Sequence, residues 1–211
     1  MMKPLVIVGA GGFGREVFGY ATDLGWDLAG FIDDRPSALE GSTIRSEVIG
    51  TFADVDARDF TWLIGVGDPQ ARRRLAAQVV LQGGVLGQLV HPTAYVARTA
   101  SLGPGTIVCP FGLVASAAMV GANVVVNTYA SIGHDAIVGD ATVFSPYATA
   151  NGNVTLGDAV FLGTSAVVTP GKTIGSQSKI SAGTVCSRSF QAGSLITGTP
   201  VKGRVMFQLD E

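Results

Sequence analysis

Residues 96–138 read VARTASLGPGTIVCPFGLVASAAMVGANVVVNTYASIGHDAIV, and every sixth position is aliphatic: Val96, Leu102, Val108, Val114, Val120, Val126, Ile132 and Val138. The rhythm continues without a slip through Phe144, Ala150, Leu156, Leu162, Val168, Ile174, Ile180 and Cys186. The residue two places earlier is usually small, as at Ala94, Ala100, Ala118 and Ala130, and glycine often follows, as at Gly103, Gly121, Gly133, Gly139, Gly157, Gly163 and Gly175. A period of six fits neither the apolar repeat of an α-helix, about 3.6, nor the simple alternation of a strand. It marks a parallel β-helix of hexapeptide coils, with one aliphatic side chain pointing inward from each flat face and a tight turn at each corner.

Three hexads close one triangular coil, so residues 18 apart stack on adjacent coils at the strand spacing of about 4.8 Å. In this register His134, two places after the inward Ile132, lies under Gly152 of the next coil, in a column with Arg98, Ser116 and Pro170. A glycine beside a histidine is expected to leave room for a ligand to lie against the ring. Pro146, Thr164 and Ala182 form a different column.

The charge distribution divides the chain. Nineteen of the thirty charged residues lie in residues 1–90, and none lies between Thr99 and His134. A β-helix face this poor in charge is expected to be covered by symmetric association. A membrane reading of the same stretch fails, because Pro104, Pro110, Asn123, Asn127 and many Gly and Ser interrupt it before about 18 continuous apolar residues accumulate. The net charge of −2 and the lack of a basic stripe argue against a nucleic-acid partner. No cleavable leader is evident in Met1–Gly12, and Cys109 and Cys186 occupy repeat positions suited to small core residues. The chain therefore reads as cytoplasmic.

The N-terminal part reads as strand, glycine turn, helix. An apolar run over residues 4–8 leads into Gly9-Ala10-Gly11-Gly12-Phe13-Gly14, with a helix expected over residues 15–24. Backbone N–H groups at such a helix start form a ready anion site. A second strand, residues 28–32, ends in Asp33-Asp34, placed to accept hydrogen bonds from a ribose or a base. A third, residues 61–66, leads through Gly67-Asp68 into a helix carrying Arg72, Arg73 and Arg74, which reads as a solvated face. This βαβαβ unit is half of a full dinucleotide fold, so a mononucleotide or nucleotide-linked substrate suits it better than a dinucleotide. The fold expected is thus an α/β half-Rossmann domain over residues 1–90, followed by a left-handed parallel β-helix with a C-terminal cap over residues 91–211.

Only two histidines are present. His91, in His91-Pro92-Thr93-Ala94, precedes the first coil and is expected to pack at the domain junction. His134 is followed by Asp135 within a stretch otherwise built of Val, Ala and Gly. Imidazole is the natural general base near neutral pH, and a neighbouring carboxylate favours the protonated form as the proton arrives.

Together, the glycine loop, Phe31-Ile32-Asp33-Asp34, Ile64-Gly65-Val66-Gly67-Asp68, His91-Pro92-Thr93-Ala94, the repeats with His134-Asp135 and the closing Gly198-Thr199-Pro200 resemble the sugar acetyltransferases of the left-handed β-helix superfamily. The nearest branch is the sialic acid O-acetyltransferase-like group that includes bacterial UDP-4-amino-sugar N-acetyltransferases. The resemblance implies a homotrimer that uses acetyl-CoA, without a metal, on a nucleotide-linked amino sugar at a site between neighbouring β-helices. It assigns His134 as base and Asp135 as its support, and Asn127 as a substrate contact. Gly11, Gly12, Phe13, Asp33, Asp34 and Gly67 would line the nucleotide pocket, and Gly152, Thr164 and Ala182 the acetyl-CoA groove.

Two positions depart from that pattern. Phe13 and Val143 stand where many relatives carry histidines, so coenzyme binding is expected to rest more on backbone groups. A sugar O-acetyltransferase would use the same base, and a non-catalytic trimeric nucleotide-sugar binding protein would follow if the two departures abolished the chemistry. A β-helix carbonic anhydrase needs three histidines around zinc and is excluded.

Overall fold

The computed structural model describes residues 3–198 and 202–205; Thr199 and Pro200 of the closing motif lie outside them. The N-terminal unit is a five-stranded parallel sheet of order β3-β2-β1-β4-β5, with β1 Leu5–Val8, β2 Leu28–Ile32, β3 Val48–Gly50, β4 Thr61–Ile64 and β5 Val85–Leu86. Its edge strands β3 and β5 add to the three strands expected from sequence; at three and two residues they are too short to show an apolar run. Two helices, α1 Gly12–Asp23 and α2 Pro69–Leu81, follow β1 and β4. Helix α1 starts at Gly12 rather than Arg15, because the glycine turn itself forms the first helical turn, with Gly11 as N-cap and the Arg15 N–H bonded to the Gly11 carbonyl at 3.0 Å. Gly14 is required there: a Cβ would fall on the carbonyl oxygen of Gly9, where the turn folds back on the helix.

The β-helix begins at Leu89–Val90, which pairs in parallel with Ile107–Val108, just before the 90/91 boundary read from sequence. Face one carries Leu89–Val90 and continues through Val125–Val126, Val143–Phe144 and Phe161–Leu162 to Lys179–Ile180. Face two runs from Tyr95–Val96 through Ser131–Ile132 to Val185–Cys186, and face three from Ser101–Leu102 through Ile137–Val138 to Thr173–Ile174. Along each face the partners are 18 residues apart, as in Val114↔Ile132, Val120↔Val138 and Val126↔Phe144, so the stacking register read from the repeat holds. The last full pairing shortens to Ile180↔Ile196, after which Lys202–Val205 turns back antiparallel and caps the stack. Val114, Val126, Ile132, Phe144, Leu162 and Ile174 are completely buried in the interior. Each such aliphatic side chain contributes roughly 1.5–3 kcal/mol relative to exposure.

The corners are made by a second period of six. From Gly105 to Gly183, every sixth residue has φ between 53° and 77°, and most of these residues are not glycine: Phe111, Ala117, Asn123, Tyr129, Asp135 and Ala141 all sit in the left-handed region. The glycines that follow the inward aliphatics serve a different need, since a Cβ on Gly163 would stand 2.6 Å from the Ala182 nitrogen of the next coil. Gly183 isolates the cost of the corner, because its φ is 68° and a Cβ there would meet nothing within 4 Å. Gly183→Ala should therefore lower unfolding stability by about 1 kcal/mol through backbone strain alone, measurable by denaturant titration. An unchanged midpoint would show that the corners relax freely.

The two units share one core. Leu5, Ile7, Ala10, Val17, Ala21, Phe31 and Leu63 pack with Leu89, Ile107, Cys109, Val125 and Val143 on the outer side of face one. His91 sits in this junction as expected: its Nδ1 is 2.8 Å from Thr93 Oγ1, its Nε2 is 3.3 Å from Asp23 Oδ2, and Tyr20 lies edge-on at 5.7 Å. The arginine run does not form a single solvated face. Arg73 and Arg74 are exposed, but Arg72 is fully buried against the β-helix. Burial pulls its pKa down to about 9, which leaves the guanidinium charged at neutral pH.

Candidate active site

His134 and Asp135 occupy the corner between face two and face three, after Ser131–Ile132 and before Ile137–Val138. Asp135 takes the left-handed turn position, with φ 57°, a conformation that Asp adopts more readily than most residues. Its Oδ2 lies 2.7 Å from His134 Nδ1, and both side chains are more than half exposed, at 64% and 55%. An Nδ1–H donated to the carboxylate leaves the Nε2 lone pair free, which is the arrangement of an oriented base. The ring lies over Gly152, as the register required, but the space is used differently from the sequence expectation. A Cβ at Gly152 would collide with Nε2, Cε1 and Cδ2 of His134, so the glycine makes room for the imidazole itself rather than for a ligand beside it. The Asn153 N–H donates to the His134 carbonyl at 2.9 Å and the Asp135 N–H to the Ser116 carbonyl at 3.0 Å, fixing the corner between its neighbouring coils.

The residues expected in one nucleotide pocket divide between two clefts. Asp33 and Asp34 border a cleft of about 430 Å³ at the C-terminal edge of the sheet, with Gly9, Thr51, Phe52, Val66 and Gln78. Here β1 lies between β2 and β4, the topological position where open α/β sheets take ligands. The Asp33 carboxylate is held: Oδ2 accepts from the Ala10 N–H at 2.9 Å, and Oδ1 accepts from the Arg35 N–H and Nε, both at 3.0 Å. Partial burial pushes its pKa up, but the hydrogen bonds from Arg35 and Ala10 outweigh this and hold it below the usual carboxylate range.

Gly12, Phe13, Gly67 and Asn127 instead meet in a junction cleft of about 300 Å³, walled by Glu16, Val125, Val143, Ser145 and Phe161. Phe13 and Val143, the two departures from the resembled pattern, thus face one cavity. Glu16 is raised above the usual carboxylate pKa by burial. Thr164 and Ala182 line a third cleft of about 340 Å³ that shares Ser145 and Phe161 with the junction cleft, so the two are contiguous. Gly11 borders none of the three.

Asn127 stands at the corner between faces one and two, whereas His134 stands at the far end of face two. Seven residues separate them along the chain, and neither His134 nor Asp135 lines any of the three clefts. The N-terminal unit covers face one. Within one chain the dyad thus lies outside the lining of the junction cleft. Sequence reading missed Glu16, Ser145 and Arg72. Cys109 and Cys186 are buried free thiols, both pushed to higher pKa by burial, Cys186 to about 11. Among the described residues no group of three or more His, Cys, Asp or Glu could hold a metal ion, and no helix is long and apolar enough to cross a membrane.

A hexapeptide β-helix with a His-Asp dyad on one corner, joined to a half-Rossmann unit through a ligand-sized cleft, defines a narrow class of two-part proteins. The comparisons narrow it further. Residues 4–79 match the PglD N-terminal domain. The acetyltransferase domain of PglB from Neisseria gonorrhoeae, solved with acetyl coenzyme A, is 30% identical with a TM-score of 0.88, covering 96% of this chain and 99% of that one. A mutant of perosamine N-acetyltransferase from Caulobacter crescentus, in complex with CoA and GDP-perosamine, is 26% identical with a TM-score of 0.90 over 97% of this chain and 98% of that one. A curated relative, UDP-N-acetylbacillosamine N-acetyltransferase from Bacillus subtilis, is 32% identical over 114 residues, and the match spans about half of each protein, 51% of this chain and 51% of that one. The chain belongs to the left-handed β-helix sugar acetyltransferase family that its motifs resemble.

Proposed function

We propose that this protein is an acetyl-CoA-dependent N-acetyltransferase acting on the amine of a nucleotide-linked sugar, with His134 as general base. The observation that carries the chemistry is the His134–Asp135 pair, with Nδ1 committed to the carboxylate and Nε2 open. The neutral amine attacks the thioester carbon and the carbon–sulfur bond breaks. The proton leaving nitrogen passes to Nε2, where Asp135 stabilises the imidazolium, and then to the departing thiolate. The Gly152 N–H, which has no acceptor among the described residues, is the candidate donor to the oxyanion. Holding two substrates together supplies much of the rate, and no acyl-enzyme is needed.

In this reading residues 1–90 bind the nucleotide sugar and residues 91–211 carry out the transfer. Asp33 and Asp34 serve the nucleotide, Gly11, Gly12, Phe13, Gly67 and Asn127 the approach of the sugar, and Thr164 and Ala182 the coenzyme. Relatives of this fold have been solved with CoA and GDP-perosamine, which supports the choice of both substrates. Soluble co-substrates such as acetyl-CoA and a nucleotide sugar support a cytoplasmic reaction.

The separation of dyad and cleft supports a homotrimer in which His134 of one subunit serves the junction cleft of the next. The surface available for association is apolar: Phe111, Tyr129 and Tyr147 stack along one corner with centroids 4.9 and 5.1 Å apart while about half exposed, and Tyr95, Met119 and Ile137 are likewise exposed. The test begins with thiol release from acetyl-CoA in the presence of UDP-, GDP- and dTDP-linked amino sugars; no release with any of them would remove the enzymatic reading. Co-refolding inactive His134→Ala and Asn127→Ala chains should then restore about a quarter of the wild-type activity, because one in four adjacent pairs would join two intact halves. No recovery, or a monomer by light scattering, would rule out a shared site.

A further inference from the structure

Arg72 is completely buried and its guanidinium faces carbonyls instead of a carboxylate. Nη1 donates to the carbonyl of Ile64 at 2.5 Å and to that of Val66 at 2.9 Å. Nε donates to the Asn123 carbonyl at 3.1 Å, and Nη2 to Asn123 Oδ1 at 2.5 Å. The Asn123 amide returns a bond to the Arg72 carbonyl at 2.9 Å. Helix α2, the turn after β4 and one corner of the β-helix are thereby joined in a single reciprocal knot.

Asn123 is not demanded by the corner it occupies. It takes the left-handed turn position with φ 56°, and the same column in the next two coils holds Ala141 and Ala159 at φ 56° and 53°. Alanine satisfies that backbone, so the asparagine at this level is explained by the guanidinium it meets. A lysine could not take Arg72's part, because a planar fork is needed to reach carbonyls on two sides at once.

The knot lies between the clefts. Val66, whose carbonyl it holds, borders the cleft with Asp33 and Asp34, and the next residue, Gly67, borders the junction cleft. Two and four residues beyond Asn123, Val125 and Asn127 form the opposite wall of that junction cleft. We propose that Arg72 is a positioning residue: through Asn123 it fixes the Ile64–Gly67 turn against the β-helix, so that a nucleotide sugar held by the N-terminal unit is presented at a set distance from the transfer site. This rests on the function proposed above, but its binding arm does not.

Asn123→Ala keeps the bonds from Arg72 to Ile64 and Val66 and releases the side-chain bonds to the β-helix. It should leave the affinity for UDP and GDP, measured by calorimetry, within about twofold, and lower kcat for acetyl transfer about tenfold or more. The KM for acetyl-CoA should stay unchanged. Arg72→Lys also loosens the turn itself and should weaken nucleotide binding at least about fivefold, since Val66 loses its donor. If Arg72→Lys fails to fold, Asn123→Ala still decides, because its corner tolerates alanine. A merely structural knot would lower the melting temperature and leave kcat per folded site intact; that result, or equal loss of both substrates, would overturn the proposal. If wild type binds nucleotide but transfers no acetyl group, the functional reading fails, and hydrogen exchange at the Val66 and Gly67 amides in Asn123→Ala tests the knot alone: unchanged protection would overturn it.

Discussion

His134→Ala is expected to lower turnover by about 10²- to 10⁴-fold, the range for loss of a positioned general base. The loss should fall on kcat with little change in coenzyme affinity. The side chain is 64% exposed and hydrogen-bonds to the exposed Asp135, so its removal leaves no buried group unpaired and the fold should survive with an unchanged melting temperature. Asp135→Asn should cost less, because the amide still accepts a hydrogen bond from Nδ1–H and only the charge that stabilises the imidazolium is lost. The order of the two effects is informative. If Asp135→Asn were the more damaging, the amide NH2 would be donating to Nδ1 and holding the proton on Nε2, the wrong tautomer for a base. Single-turnover measurements would confirm that the chemical step limits the rate, and full activity of His134→Ala under those conditions would move the site elsewhere.

The β-helix is legible because its determinants are local and periodic. One inward side chain per face at Val114, Val120 and Val126 sets the coil, and the coil then places residues 18 apart on top of one another without further information. His134 over Gly152 follows from that alone. What the repeat does not encode is side-chain direction, so the gap at Gly152 could be located but not assigned to the imidazole that fills it. Likewise the corner positions carry Phe, Ala, Asn, Tyr and Asp with similar φ, and no composition rule marks them.

The junction is legible only in outline. The strands β1, β2 and β4 announce themselves as apolar runs, whereas β3 and β5 owe their state to the sheet edge they complete. Arg72 reads as one of three adjacent arginines, and helical phase alone does not reveal that it points at a β-helix corner 51 residues away. A signal did exist: the column Gly105, Asn123, Ala141, Ala159 and Gln177 shows that the turn does not require asparagine. At Asn123 the side chain is accounted for by the guanidinium that reaches it from outside the repeat. The two clefts could not be separated in sequence either, since Gly12 and Asp34 both read as loop residues at the same sheet edge and only packing against Val125 and Val143 draws them apart.

Gly152→Ala is the second substitution expected to have a large effect. The Gly152 backbone is outside the left-handed region, so alanine meets no conformational penalty, and the three nearest atoms to its Cβ all belong to the His134 ring. That ring is the far end of an exposed side chain and can swing away, which makes the substitution cheap for folding. It is costly for the dyad. Rotation of the imidazole off Gly152 breaks or bends the 2.7 Å Nδ1–Oδ2 contact and carries Nε2 away from its place against Gly152. Misplacement of a catalytic group by about 1 Å can cost about 10²-fold, so kcat should fall by that order while the melting temperature changes little. In Gly152→Ala/His134→Ala the glycine no longer matters, and the double variant should be no slower than His134→Ala alone. Additive losses would mean that Gly152 serves the coenzyme directly, as the sequence reading held, and that its role beside His134 is incidental.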